Sequence, residues 1–93
     1  MIKTKKERAV RFDAIAELGC VVCGMPPQIH HCIGHAFGTG KGLKAKDDLT
    51  FGLCHHHHVG TEGIHIIGKR TWENKYGKQG DLLELTNARL NCG

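Results

Sequence analysis

The chain has 93 residues, 40% hydrophobic and 5% aromatic, with a formal net charge of +4 at pH 7. That length sets one domain, 1–93, near the lower limit for a self-sufficient core, so a bound metal is expected to supply what packing does not. No stretch approaches transmembrane length, which excludes a helical membrane span, and the basic bias fits phosphate contact and an ordinary solvated surface equally well.

Residues 1–11 form a short basic N-terminal segment carrying Lys3, Lys5, Lys6, Arg8 and Arg11. Its opening is charged rather than apolar, which argues against a secretory leader. The five cysteines are an odd number and two of them are tightly spaced, so thiolates on metal in a reducing cytoplasm fit better than disulfides. The spacing predicts a helix over 5–18, with Val10, Ala14, Ile15 and Leu18 as its apolar stripe and Gly19 as its C-cap. Cys20-x-x-Cys23 then reads as a metal knuckle that turns through Gly24, Met25, Pro26 and Pro27.

A short strand is expected over 28–33, followed by a Gly/Lys-rich loop over 34–48 and a second strand over 49–53, antiparallel to the first. In the loop, Lys41, Lys44 and Lys46 read equally well as DNA-contacting and as solubilising residues. A helix should start near Cys54 and be cut short by Gly60 and Gly63; another covers 70–76, with Trp72 in the core. Asp81 and Glu84 resemble a capping box that opens a last helix whose Leu82, Leu83, Leu85 and Leu90 are mostly core. The resulting class is α+β: a small zinc-stabilised ββα core with flanking helices.

Cys20, Cys23, Cys54 and His57 supply four soft ligands for one tetrahedral zinc, since Cys54 and His57 are three apart at a helix start and face one ion. The bland alternative makes Cys20 and Cys23 small core residues beside Val21 and Val22, and leaves Cys54-x-x-His57 unexplained. His58 follows His57 by one position, so on a helix it points about 100° away. His30 and His31 alternate on a strand, so one of them can ligate while the other stands free as a base. His30, His58 and His65 would leave coordination positions open, as catalytic metals require. His35, His55 and His56 read as solvent-facing, and Cys32 as buried and inert.

These residues resemble a known family. Gly19-Cys20-x-x-Cys23, Ile29-His30-His31, Leu53-Cys54-x-x-His57-His58, Gly63-Ile64-His65, Trp72, Tyr76-Gly77 and Asp81-Leu82-Leu83 together look like the HNH (ββα-metal, His-Me finger) endonucleases. Within that group the likeness is to the Ref family of RecA-dependent phage nucleases, and it spans 12–90. The resemblance implies a DNA endonuclease or nickase in a bacterial host cell, phage-encoded or from a prophage. His31 would be the general base, and His30, His58 and His65 would hold one catalytic Mg²⁺ or transition-metal ion beside a structural zinc. The Asn of the family motif has no counterpart; Asp47, Asp48 or Thr50 occupies that region, and Asp47 is placed to bind the base or the metal. The long basic arm of Ref-type nucleases is absent, which weakens the expectation of a RecA-type filament as partner. A homodimer is compatible with cutting both strands. The competing reading is a non-catalytic zinc-built nucleic-acid-binding module, which would need only the four zinc ligands.

Overall fold

In the computed structural model, which describes residues 2–40 and 42–91, helix α1 spans Lys5–Leu18. Thr4 caps it: the hydroxyl oxygen accepts the Glu7 N–H at 3.1 Å, satisfying a donor that the first turn leaves free. At the other end Gly19 adopts φ 85° and donates its N–H to the Ile15 carbonyl, ending the helix where the sequence places the cap. The basic segment is thus no separate arm, since its residues from Lys5 onward are the first half of α1.

The knuckle leads into strand β1, Gln28–His31, which pairs antiparallel with β2, Thr50–Leu53. His30 sits opposite Phe51 and His31 opposite Thr50. Pairing extends one bond further, from Cys32 N–H to the Leu49 carbonyl, so the expected strand ends at 33 and 49 lie just beyond the regular ladder. Between the strands the loop folds into a 3-10 turn at His35–Phe37 and a tight bridge between Gly40 and Leu43.

Four short helices follow: α2 His55–His58, α3 Ile64–Ile67, α4 Lys69–Tyr76 and α5 Gln79–Asn91. The architecture is α+β, a two-stranded sheet with helices against it. Every residue of β2 is buried, and the core gathers around Phe51, Leu53, Cys32, Ile64 and Trp72. Gly52 lets α1 lie flush on the sheet, because a Cβ there would stand 2.9 Å from the Gly19 carbonyl oxygen and 2.9 Å from Pro27 Cβ. No helix among the described residues is long and apolar enough to cross a membrane.

Three expectations need correction. Only Ile15 of the α1 stripe is fully buried, while Val10 is 64% exposed and Leu18 also faces outward, because a sheet two strands wide covers little more than one turn of the helix. Arg11 is no free surface cation. Its guanidinium donates to Thr50 Oγ1, the Thr50 carbonyl and Asn87 Oδ1, bracing α1 against β2 and α5. Finally, α5 begins at Gln79, two residues before the expected box, since Glu73 of α4 accepts the Gln79 N–H at 2.9 Å and caps the helix from outside. Asp81 therefore lies inside the first turn, and Leu85 points to solvent rather than to the core.

Candidate metal centres

Two groups of side chains converge, one on each side of the turn that carries His57 and His58. The first consists of Cys20, Cys23, Cys54 and His57, whose ligand atoms all lie within 4.8 Å of one another. Individual separations are 3.6 Å for Cys23 Sγ to Cys54 Sγ, 3.2 Å for Cys54 Sγ to His57 Nδ1 and 4.0 Å for Cys20 Sγ to His57 Nδ1. A zinc tetrahedron with Zn–S of about 2.3 Å and Zn–N of about 2.0–2.1 Å has edges of about 3.3–3.8 Å, so this set can hold zinc. The four cysteines among the described residues are free, not disulfide-bonded.

Local chemistry prepares these ligands. The knuckle is stitched to β2 by Val21 N–H to the Gly52 carbonyl, which brings Cys20 and Cys23 level with Cys54 at the end of that strand. Burial opposes ionisation of Cys20, but backbone N–H groups at Cys54, Cys23 and Val22 outweigh it and hold the thiol below its ordinary range. Trp72 Nε1 donates to the His57 carbonyl at 3.0 Å, and the Tyr76 ring stands edge-on to the His57 ring. Trp72 is fully buried, as a core residue, and through that bond α4 also holds the ligand-bearing turn.

The second group is His30, His58 and His65, likewise within 4.8 Å. His58 Nε2 and His65 Nε2 are 3.2 Å apart, close to the edge expected when two imidazoles share one ion. His65 reaches this position because the chain doubles back tightly at Gly63, where a Cβ would meet the His58 carbonyl oxygen at 2.5 Å. His58 Nδ1 lies 2.8 Å from Gln28 Oε1, leaving Nε2 toward the cluster. His30 is fully buried, and its Nδ1 has no hydrogen-bond partner among the described residues. Buried ring nitrogens without a partner are rare in folded proteins, and an ion at this cluster would satisfy this one. Burial, partly offset by the Gln79 hydrogen bond, lowers the His30 pKa to about 4; burial and the neighbouring His65 and His55 lower that of His58. Both are therefore neutral and have lone pairs to give near pH 7.

His31 turns to the other face of β1, edge-on to Phe12, and its Nε2 is 2.8 Å from Asp47 Oδ1. Of Asp47, Asp48 and Thr50, it is Asp47 whose side chain meets a histidine. Thr50 Oγ1 is occupied by Arg11 and by the Asp47 carbonyl instead. The hydrogen bond from His31 holds the Asp47 carboxyl below its usual range, with Arg8 and Lys44 adding to the effect.

The remaining candidates are spread out. Lys44 and Lys46 are exposed on either side of the buried Ala45, while Lys41 and Cys92 lie outside the described residues. His35, His55 and His56 are exposed, and Cys32 is buried, with burial pushing its thiol up to about 12. Sequence reasoning missed Gln28 and Gln79, which hold the outward nitrogens of two cluster histidines. No spacing rule marks a glutamine for that role; Gln79 leaves a trace only as a polar residue at a helix start, and Gln28 at the start of β1 leaves none.

Fold and clusters together define a small α+β domain with two sites able to hold metal ions. The chain belongs to the family described as a protein of unknown function, DUF968, whose model matches residues 3–93. No curated protein and no solved structure matches it.

Proposed function

We propose that this domain is a metal-dependent DNA endonuclease or nickase of the ββα-metal type, with a structural zinc on Cys20, Cys23, Cys54 and His57. The order β1, β2, α2 is that of a ββα-metal unit, with His30 and His31 on the first strand and His58 on the helix. The observation that carries the reading is the convergence of three imidazoles on one point, with a buried and unpartnered His30 Nδ1 among them. A zinc-built binding module has no use for that second set.

In this reading His30, His58 and His65 hold one divalent ion, Mg²⁺ or a transition metal, three imidazoles suiting the latter. When bound, such an ion neutralises charge on the scissile phosphate and on the departing oxygen. His31 is the general base. With Nε2–H given to Asp47, its Nδ1 lone pair is left to take a proton from the attacking water. The Asp47 carboxylate orients the ring and stabilises the imidazolium that forms. In this reading the basic residues near Asp47, Lys3, Lys5 and Arg8 on the α1 side and Lys44 in the loop, would contact the phosphate backbone.

The test is relaxation of supercoiled plasmid by metal-stripped, zinc-reloaded protein supplied in turn with Mg²⁺, Mn²⁺ or Ni²⁺. Nicking or linearisation that needs the added ion supports the reading. Stoichiometric zinc with no second ion bound, and no cleavage of double- or single-stranded DNA, would favour the binding module.

A further inference from the structure

Gln79 is fully buried although it is the first residue of a helix, and its side chain makes three hydrogen bonds. Its Oε1 accepts the Ile33 N–H at 2.9 Å, its Nε2 donates to the Ile33 carbonyl at 2.8 Å, and the same Oε1 lies 2.9 Å from His30 Nε2. The paired bonds to one backbone residue fix which end of the amide is oxygen, because the flipped amide would set N–H against N–H and oxygen against oxygen. An oxygen so placed can only accept, so the proton on the His30 ring must sit on Nε2.

We propose that Gln79 is a positioning residue that sets His30 in its Nε2–H tautomer and leaves Nδ1 as the nitrogen offered to a metal ion. The inference rests on the reading of His30, His58 and His65 as an ion site. It accounts for two observations with one cause. A polar amide is buried at a helix start that would accept many residues, and His30 Nδ1 is left bare in the protein interior. It also gives the α4–α5 junction a part in the site. The Gln79 N–H is held by Glu73, so the amide that faces His30 is anchored at its own backbone and at Ile33. Metal-bound histidines generally give their other N–H to a fixed acceptor, and loss of that acceptor weakens binding by about 10–100-fold.

The experiment uses the full chain loaded with one zinc and no second ion. Long-range ¹H–¹⁵N correlation spectra report which nitrogen of His30 carries the proton, and calorimetric titration with Ni²⁺ reports the second site. Wild type is expected to show protonated Nε2 and bare Nδ1. Gln79→Glu, whose protonated carboxyl keeps one acceptor and one donor, should retain that tautomer. Gln79→Met, similar in length but unable to accept from an N–H, should lose the single tautomer. It should also bind Ni²⁺ about 10–100-fold more weakly while keeping one zinc per chain. A wild-type spectrum with the proton on Nδ1 overturns the proposal, and so does a folded Gln79→Met with unchanged tautomer and affinity. If Gln79→Met loses its zinc and fails to fold, the wild-type and Gln79→Glu spectra decide. Failure of the nuclease reading has a different signature: Ni²⁺ uptake with no DNA cleavage, or no uptake at all, beside an unchanged tautomer.

Discussion

His31 Nε2 and Asp47 Oδ1 meet at 2.8 Å across sixteen residues of chain, joining the end of the first strand to the loop that precedes the second. Arg8 approaches the other carboxylate oxygen at 3.8 Å, so the pair sits where α1, the loop and β1 come together. An imidazole held at one nitrogen by a carboxylate is oriented and keeps a lone pair on the other.

If the domain is the nuclease proposed above, replacing His31 with Ala should abolish cleavage, with a loss of about 10²–10⁴-fold for a general base, and leave fold and zinc content unchanged. Plasmid relaxation alongside zinc analysis checks both. Cleavage by the variant at the wild-type rate would remove His31 from the mechanism.

In the same proposed mechanism, Asp47→Ala removes the carboxylate that holds His31 but leaves the imidazole itself. A hydrogen bond to a charged group is worth about 1.5–3 kcal/mol, so the rate should fall by roughly 10–150-fold. Because Asp47 is partly exposed, the melting temperature should change little. A large loss of stability with the rate preserved would assign the residue to folding instead.

Cys23→Ser, or a strong chelator, should unfold the domain, because structural zinc supplies on the order of 10–16 kcal/mol of binding free energy in small metal-built domains. Circular dichroism would record the loss of helix. Retention of the native spectrum without zinc would show that the core around Phe51 and Trp72 suffices alone.

The buried His30 also predicts an acid response. Burial lowers its pKa to about 4 in the folded chain without a second ion, against about 6.5 when unfolded. The unfolded state binds the proton first as pH drops, so this contribution is fully present above about pH 6.5 and is lost on descent toward about pH 4. At about 1.4 kcal/mol per unit the effect is on the order of 3 kcal/mol. Urea unfolding of zinc-loaded wild type and His30→Leu at steps between pH 7 and about pH 5.5, with zinc content checked at each pH, isolates it. Equal pH slopes for the two proteins would contradict the assignment.

Gly52→Ala tests the fold apart from any chemistry. The added methyl would crowd the Gly19 carbonyl, Pro27 and Ile15 at once, two of them at 2.9 Å, and overpacking of this kind costs about 1–3 kcal/mol. A lowered denaturation midpoint is expected; an unchanged one would mean that α1 can shift away from the sheet.

Much of this was legible in the chain because it depends on local spacing. Gly19 ends α1 through its own backbone, and Cys54 and His57 meet because residues three apart on a helix turn share a face. His30 and His31 diverge because strands alternate. The misreadings concern positions where a distant residue decides. The start of α5 is set by Glu73 of another helix rather than by the apparent box at Asp81. Arg11 is drawn inward by Thr50 and Asn87, 39 and 76 residues away. Val10 and Leu85 carry apolar periodicity on helices whose neighbours are too narrow to cover them. Gln79 was invisible for the same reason, since its meaning lies in Ile33 and His30.

The adjacency of His57 and His58 has an electrostatic outcome once both clusters are loaded. Three thiolates around a dication leave one net negative charge on the side of His57. Three neutral imidazoles leave the charge of the other ion undiminished on the side of His58. One turn of helix thus separates an anionic face from a strongly cationic one. With both ions bound, a polyanion approaching this domain would be repelled from the scaffold ion and drawn to its neighbour.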